Sequence, residues 1–116
     1  MTAVTIYHNP QCSTSRQALK IIQDRGITPT IVEYLKTPLS KDQLKALIAK
    51  MGVPVKDVVR WKQKDEVAAA GIGESSSDEA LLDAMAKFPT LMNRPIVVTD
   101  KGAKLCRPSD VVASLL

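Results

Sequence analysis

The sequence lacks any apolar run that approaches the ~20 residues needed for a membrane-spanning helix. Its first residues form a short β-branched stretch and show none of the features of a secretory signal. We therefore expect a soluble protein that works in the cytoplasm.

Cysteine and aromatic residues are scarce. Two cysteines, Cys12 and Cys106, are too few for a disulfide framework, and in the cytoplasm they are expected to be free thiols. One Trp, one Phe and two Tyr offer few rings for stacking on bases, and the 16 basic residues are interleaved with 12 acidic ones. The net charge of +4 therefore favours a small anionic substrate over a nucleic acid.

The length and composition are those of one globular domain. A chain of 116 residues, 45% hydrophobic and 24% charged, is large enough to bury its own core. No repeat or low-complexity linker indicates a second domain. We predict a single domain over residues 1–116.

The first third of the chain alternates between strand and helix patterns. Residues 3–7 are β-branched and aromatic, which predicts a strand that ends before the following proline. A helical pattern begins at Ser13 or Thr14 and ends at Gly26, and residues 30–35 are predicted to form a second strand. These elements form a βαβ unit, so the two strands are expected to be parallel.

The middle of the chain, over about residues 40–90, is predicted to be a helical insert. Ser40 and Gln43 form a capping box ahead of an apolar helical face. Ser76 and Glu79 form a second capping box ahead of the last helix of the insert.

A hairpin and a closing helix complete the chain. Residues 96–99 and 103–106 are predicted strands joined by a tight turn, and Pro108 is expected in the first turn of a helix over residues 109–116. The fold class is therefore α/β. We predict a four-stranded mixed sheet flanked by helices, with the insert between the βαβ and ββα parts.

Cys12 is the main candidate for chemistry, because it is predicted to lie at the N-terminus of the first helix. Unpaired N–H groups and the positive end of the helix dipole favour a thiolate there. The loop over residues 9–15 adds N–H groups and hydroxyls that suit a tetrahedral oxyanion. Cys12 is therefore predicted to be a nucleophile, and the alternative is a small buried hydrophobic residue.

Several neighbouring residues are expected to support this thiol. His8 and Arg16 add positive charge near it, and Thr14 adds a hydroxyl donor. Ser13 and Ser15 are predicted to cap the helix, with anion contact as a second role. For His8, a hydrogen-bonded structural role is an equal alternative.

Cys106 ends a strand of mixed polarity, which favours a packing role over a redox role. A disulfide between Cys106 and Cys12 is left open. A zinc site at His8 and the two cysteines would need a fourth ligand, and no paired Cys or His motif supplies one. We therefore predict no metal site.

Two arginines lie where predicted strands meet loops. Arg94 directly precedes Pro95 and a strand, and Arg107 directly follows another strand. Both are expected to face Cys12. The forked donors of a guanidinium match two oxygens of a tetrahedral anion and stay charged near neutral pH.

The sequence around these residues resembles that of the glutaredoxin-coupled arsenate reductases. The similarity lies in three separated segments that occur in the same order: HNPQCSTSR at residues 8–16, NRPIVV at 93–98 and CRP at 106–108. The resemblance implies a thioredoxin-like fold with a helical insert, in which Pro95 is the cis-proline.

The resemblance also implies an activity and its residues. Cys12 would be the attacking thiolate, and Arg60, Arg94 and Arg107 would bind arsenate. In the family's mechanism glutathione is the electron donor, glutaredoxin is the partner protein, and no cofactor is bound. One difference is Ser13, which stands where relatives usually carry glycine, so that its side chain narrows the anion loop.

Two alternatives use the same scaffold. A glutathione-dependent thiol oxidoreductase would use Cys12 without arsenate. A relative of this fold regulates transcription by contacting RNA polymerase, but it has a Cys-x-x-Cys pair, and Ser15 takes the place of its second cysteine here.

Overall fold

The computed structural model describes residues 3–116. These residues form two compact units. One unit contains residues 3–37 and 94–116, and the other contains residues 38–93. That the chain folds as a single domain stays a prediction.

The first unit is built on a four-stranded sheet. Its strands are β1 (Thr5–Tyr7), β2 (Thr30–Val32), β3 (Ile96–Thr99) and β4 (Gly102–Leu105). They lie in the order β2-β1-β3-β4, with β1 parallel to β2 and β3 antiparallel to both of its neighbours. The predicted mixed sheet is confirmed.

The helix α1 (Ser13–Asp24) connects the parallel strands β1 and β2. Its last residue is Asp24, and Gly26 terminates it as predicted, with a φ of 75° in the left-handed region that glycine adopts readily. The Gly26 N–H donates to the Gln23 carbonyl at 2.9 Å, and the Ile27 N–H donates to the Ile22 carbonyl at 3.4 Å. This pair of bonds is a Schellman motif, which satisfies the last carbonyls of the helix.

The bounds of β1 and β4 differ from the prediction by one or two residues, and two other elements of this unit differ more. The strand β2 stops at Val32, three residues early, because the chain turns where the Lys36 and Thr37 N–H groups donate to the Glu33 carbonyl at 2.9 and 3.0 Å. The closing helix is a 3₁₀ helix over Ser109–Leu115, and Pro108 precedes it instead of lying in its first turn.

The core of this unit lies between the sheet, α1 and the closing 3₁₀ helix. Cys106 has no exposed surface and belongs to this core. Its buried members are Val4, Ile6, Ala18, Ile22, Val97, Cys106, Val112 and Leu115. Full burial of one such aliphatic side chain contributes about 1.5–3 kcal/mol to the free energy of folding.

The second unit is the predicted helical insert, which is confirmed. It contains α2 (Lys41–Met51), a 3₁₀ helix (Val55–Val58), α3 (Lys64–Ala70), α4 (Asp78–Lys87) and a second 3₁₀ helix (Pro89–Leu91). The apolar faces of α2 and α4 pack together, and their buried residues are Leu44, Leu47, Ile48, Leu81, Leu82, Ala84 and Met85.

One of the two predicted capping boxes is correct. The Ser40 hydroxyl accepts from the Gln43 N–H, and the Gln43 side chain accepts from the Ser40 N–H. The second predicted box is absent, and the N-cap lies one residue later, where the N3 residue is Ala80 and has no side-chain acceptor. Ser77 is the N-cap of α4 and accepts from the Ala80 N–H at 3.2 Å, whereas the Ser76 hydroxyl accepts from the Gly73 N–H and closes the preceding turn. Three consecutive serines offer the same capping chemistry, so local pattern alone did not select among them.

Within residues 3–116, no helix is both long enough and apolar enough to cross a membrane.

We expect Ser40→Ala to lower the free energy of unfolding by about 1 kcal/mol, because it removes the side-chain acceptor at the start of α2. Urea denaturation followed by circular dichroism measures the change. Ser75→Ala is the matched control, since Ser75 is an exposed loop residue outside any cap. Equal losses in the two variants would contradict the assigned role of the Ser40 cap.

Candidate active site

Three strand ends meet at one edge of the sheet in the first unit. The register pairs the first residue of β3, Ile96, with the last residues of β1 and β4. The residues just beyond these ends are therefore neighbours in space. They include the loop that carries Cys12, together with Arg94 and Arg107.

The loop after β1 is a tight turn that ends at Cys12. The Cys12 N–H donates to the Asn9 carbonyl at 3.0 Å, and the Asn9 Oδ1 accepts from the Gln11 N–H at 3.0 Å. Pro10 occupies the second position of the turn, where its fixed φ is favourable. Cys12 is the N-cap residue of α1, as predicted, with extended backbone angles of −92° and 121°.

The Cys12 sulfur contacts the arginine that follows β4. Arg107 Nη1 lies 3.7 Å from Cys12 Sγ and donates to the Arg94 carbonyl at 3.0 Å. The Arg94–Pro95 bond is cis, as the resemblance implied, and the Pro95 carbonyl accepts from the Cys106 N–H at 2.8 Å. The structure therefore brings both predicted arginines to the thiol.

The environment of Cys12 favours its thiolate. Burial by itself raises the pKa of Cys12, but hydrogen bonds from the Ser15 backbone N–H and from Arg107 and Arg94 outweigh burial. Together they lower the pKa from its ordinary value to about 7. A substantial fraction of the thiol is therefore ionised at neutral pH.

His8 and Ser15 form a buried pair beside the loop. Ser15 Oγ lies 2.6 Å from His8 Nδ1 and accepts from the Asn9 N–H at 3.1 Å. Ser15 is fully buried inside the first turn of α1, whose N-cap is Cys12, so the prediction that Ser15 caps the helix is wrong. Its hydroxyl is oriented towards the loop because that is where its hydrogen-bond partners lie.

His8 does not have the positive charge expected of it near neutral pH. Burial lowers the pKa of His8, the nearby Glu33 partly opposes this, and Arg16 adds to the lowering. The imidazole is therefore mainly neutral at pH 7, and its contact in the structure is with Ser15.

The other predicted supporting residues lie on the first turn of α1. Arg16 Nη1 donates to the Pro10 carbonyl at 2.9 Å, which ties the helix to the turn. Thr14 is half-buried, whereas Ser13 is exposed and does not cap the helix. Of the backbone groups in this turn, the Ser15 N–H donates to the Cys12 sulfur.

Arg60 belongs to the second unit. It follows the 3₁₀ helix over Val55–Val58, and its backbone N–H donates to the Leu91 carbonyl at 2.7 Å. Its Nη1 donates to Asn93 Oδ1 at 3.4 Å. The role of Arg60 in oxyanion binding stays a prediction.

Cys106 differs from Cys12 in every property that controls thiol reactivity. It has no exposed surface, and burial raises its pKa to about 12. Both cysteines are free thiols. The packing role predicted for Cys106 is consistent with its place in the core.

In the part of the chain that the structure describes, no group of three or more His, Cys, Asp or Glu residues is arranged to hold a metal ion.

Asn9 was not selected as a site residue from the sequence, yet it makes three of the loop's hydrogen bonds. Its carbonyl, side chain and N–H contact Cys12, Gln11 and Ser15, respectively. The local signal was present, because Asn before Pro is typical of a turn in which the amide side chain accepts a backbone N–H two residues later.

Comparison with known proteins gives a consistent result. The model of the ArsC family matches residues 7–115. An arsenate reductase of Rhizobium meliloti is 53% identical over 114 residues, which cover 97% of this chain and 81% of that protein. An arsenate reductase of Escherichia coli is 49% identical over 117 residues, covering 100% of this chain and 82% of that protein.

The solved structures agree with the sequence comparisons. An arsenate reductase from Vibrio cholerae superposes with a TM-score of 0.92 and 38% identity, covering 99% of this chain and 98% of that one. This likeness confirms the predicted thioredoxin-like α/β fold with its helical insert.

We expect the alkylation rate of the protein by iodoacetamide to rise with pH and to be half-maximal at about pH 7, because only the thiolate of Cys12 reacts. Arg107→Ala should move this midpoint to higher pH, since it removes a donor to the sulfur. Arg25→Ala is the charge-matched control, because Arg25 is an exposed residue at the other end of α1. A midpoint shared by both variants would contradict a direct role for Arg107.

Proposed function

The chain belongs to the ArsC family, and from this premise we propose that it is an oxidoreductase that reduces arsenate to arsenite with Cys12 as its nucleophile. The main supporting observation is the Cys12 sulfur at a helix N-terminus within reach of Arg107. A nucleophile can displace an oxygen of a tetrahedral oxyanion when donors beside it bind the anion, and both kinds of group lie together here.

In this proposal Arg94 and Arg107 bind the substrate. Nη1 of Arg107 donates to the Cys12 sulfur and to the Arg94 carbonyl. In the proposal, the N–H groups on the other guanidinium nitrogens of Arg107 donate to arsenate oxygens. The same guanidinium groups stabilise charge on the oxygen that leaves. For Arg60 as a third arsenate ligand, the support is the resemblance to the family.

The first chemical step is attack of the Cys12 thiolate on arsenic. A sulfur–arsenic bond forms, and one arsenic–oxygen bond breaks. The leaving oxygen takes up protons and departs as water. Arsenic remains in its +5 state, so this step prepares the reduction without transferring electrons.

Glutathione and glutaredoxin complete the proposed reaction. A glutathione thiolate attacks arsenic and displaces a second oxygen as water. A glutaredoxin thiolate then attacks the glutathione sulfur, and the electron pair of the arsenic–sulfur bond stays on arsenic, which becomes arsenic(III). Water releases arsenite from Cys12. A second glutathione frees glutaredoxin, so that two glutathione molecules are oxidised for each arsenate.

This chemistry places the protein in a reducing compartment. Glutathione acts as a soluble electron donor, no bound cofactor is needed, and Cys12 must remain a free thiol between turnovers. We therefore propose a cytoplasmic location.

A second candidate function is a glutathione-dependent thiol oxidoreductase without arsenate activity. The observation in its favour is that the pKa of Cys12, about 7, suits attack on disulfides as well as on arsenic. The regulator-like alternative has less support, because Ser15 replaces its second cysteine and is fully buried against His8.

Arsenate-dependent NADPH oxidation, coupled through glutathione, glutaredoxin and glutathione reductase, tests the main proposal. We expect turnover by the wild type and none by Cys12→Ser, because a serine hydroxyl is not ionised near neutral pH. Circular dichroism serves as the folding control for the variant. Activity retained in Cys12→Ser would refute the nucleophile. An inactive wild type that still reduces a mixed disulfide with glutathione would support the second candidate.

Arg94→Ala and Arg107→Ala should each lower kcat/KM for arsenate by about 10²–10³-fold, the usual effect of removing one oxyanion donor. Arg60→Ala should weaken arsenate use in the same direction. The coupled assay measures all three, with Arg25→Ala as the control for loss of one positive charge. Normal kinetics in Arg94→Ala and Arg107→Ala would exclude them as arsenate ligands.

A further inference from the structure

Asn9 lies in the turn before Cys12 and is only 8% exposed. It makes three hydrogen bonds there. We propose that Asn9 is a positioning residue, whose side chain fixes the turn that directs the Cys12 sulfur towards Arg107. This inference rests on the proposed role of Cys12 as the nucleophile. It assigns to Asn9 no contact with the substrate.

The first part of the argument concerns the two N–H groups before the helix. Asn9 Oδ1 accepts from the Gln11 N–H at 3.0 Å, and the Asn9 carbonyl accepts from the Cys12 N–H at 3.0 Å. Any residue at position 9 can supply the carbonyl. Only a short side chain with an acceptor can supply the other bond, so the identity of Asn9 matters through Oδ1.

The second part concerns the connection to α1. The Asn9 N–H donates at 3.1 Å to the hydroxyl of the fully buried Ser15, which also contacts His8 at 2.6 Å. The turn is therefore fixed to the first turn of the helix on one side and to the end of β1 on the other. Because these bonds are buried, leaving one of their groups without a partner is unfavourable.

The third part concerns the sulfur itself. The distance of 3.7 Å from Arg107 Nη1 to Cys12 Sγ is already long, so a small displacement of Cys12 weakens this contact. The Arg107 guanidinium is held separately by its 3.0 Å hydrogen bond to the Arg94 carbonyl, so it does not move together with a displaced Cys12 sulfur. The turn must therefore hold the sulfur in place.

The experiment compares Asn9→Ala, which removes the acceptor, with Asn9→Ser, whose hydroxyl makes the same turn bond more weakly. Gln23→Ala is the control, because Gln23 is an exposed residue in the last turn of α1. For each protein, the pH dependence of iodoacetamide alkylation reports on Cys12 without any substrate. Coupled turnover then gives kcat and KM for arsenate.

We expect Asn9→Ala to lower kcat by about 5- to 10-fold, the effect of one lost hydrogen bond, while KM for arsenate stays near the wild-type value. The alkylation midpoint should move to higher pH, Asn9→Ser should fall between Asn9→Ala and the wild type, and Gln23→Ala should match the wild type. A change in KM alone would overturn the proposal, because it would mean that Asn9 contacts arsenate. A wild-type alkylation midpoint and kcat in Asn9→Ala would also overturn it.

If Asn9→Ala fails to fold, Asn9→Ser decides the question, and wild-type values of both its alkylation midpoint and its kcat then overturn the proposal. The alkylation measurement also separates this inference from the proposed function. A wild type without arsenate turnover refutes the arsenate reductase proposal. The alkylation midpoints of the Asn9 variants still show whether Asn9 positions the thiol.

Discussion

The hydrogen bonds to the Cys12 sulfur are the interaction on which the rest of the site depends. Burial alone would keep this thiol protonated, and only the Ser15 N–H with the guanidinium groups of Arg107 and Arg94 reverses that effect. Hydrogen-bond donors to sulfur act only over short distances. Helix α1 must therefore begin directly after Cys12, and the guanidinium groups of Arg94 and Arg107 must both lie close to its sulfur. The opposite behaviour of Cys106, which is buried without such donors, shows how completely environment determines thiol chemistry.

The sheet explains how residues far apart in the chain reach this sulfur. Because β3 is antiparallel to both β1 and β4, its first residue lies beside their last residues. The chain therefore leaves β1 for the Cys12 loop, enters β3 through Arg94 and leaves β4 through Arg107 at one edge. This arrangement places Cys12, Arg94 and Arg107 on loops, while the strands contribute to the core.

Much of the fold could be predicted because its signals are local. The Ser40 capping box, the end of α1 at Gly26 and the strands β3 and β4 follow from residue types a few positions apart. The errors arose where neighbouring residues offered equal choices, as in the serines before α4, or where hydrogen bonding turned the chain early, as after Val32. Of the site, Cys12 and its helix position were predictable, whereas the burial of Ser15 was not.

By itself the sequence determined the order of the elements and the place of Cys12 at a helix N-terminus, and it supplied the arginines proposed to bind an anion, since these depend on chemical identity and short-range spacing. Only the tertiary structure decided that Arg107, 95 residues from Cys12, contacts its sulfur. It also decided that His8 is mainly neutral and pairs with Ser15, and that Asn9 Oδ1 accepts from the Gln11 N–H. The reason is physical: charge state and hydrogen bonding depend on which groups the folded chain brings together and removes from water.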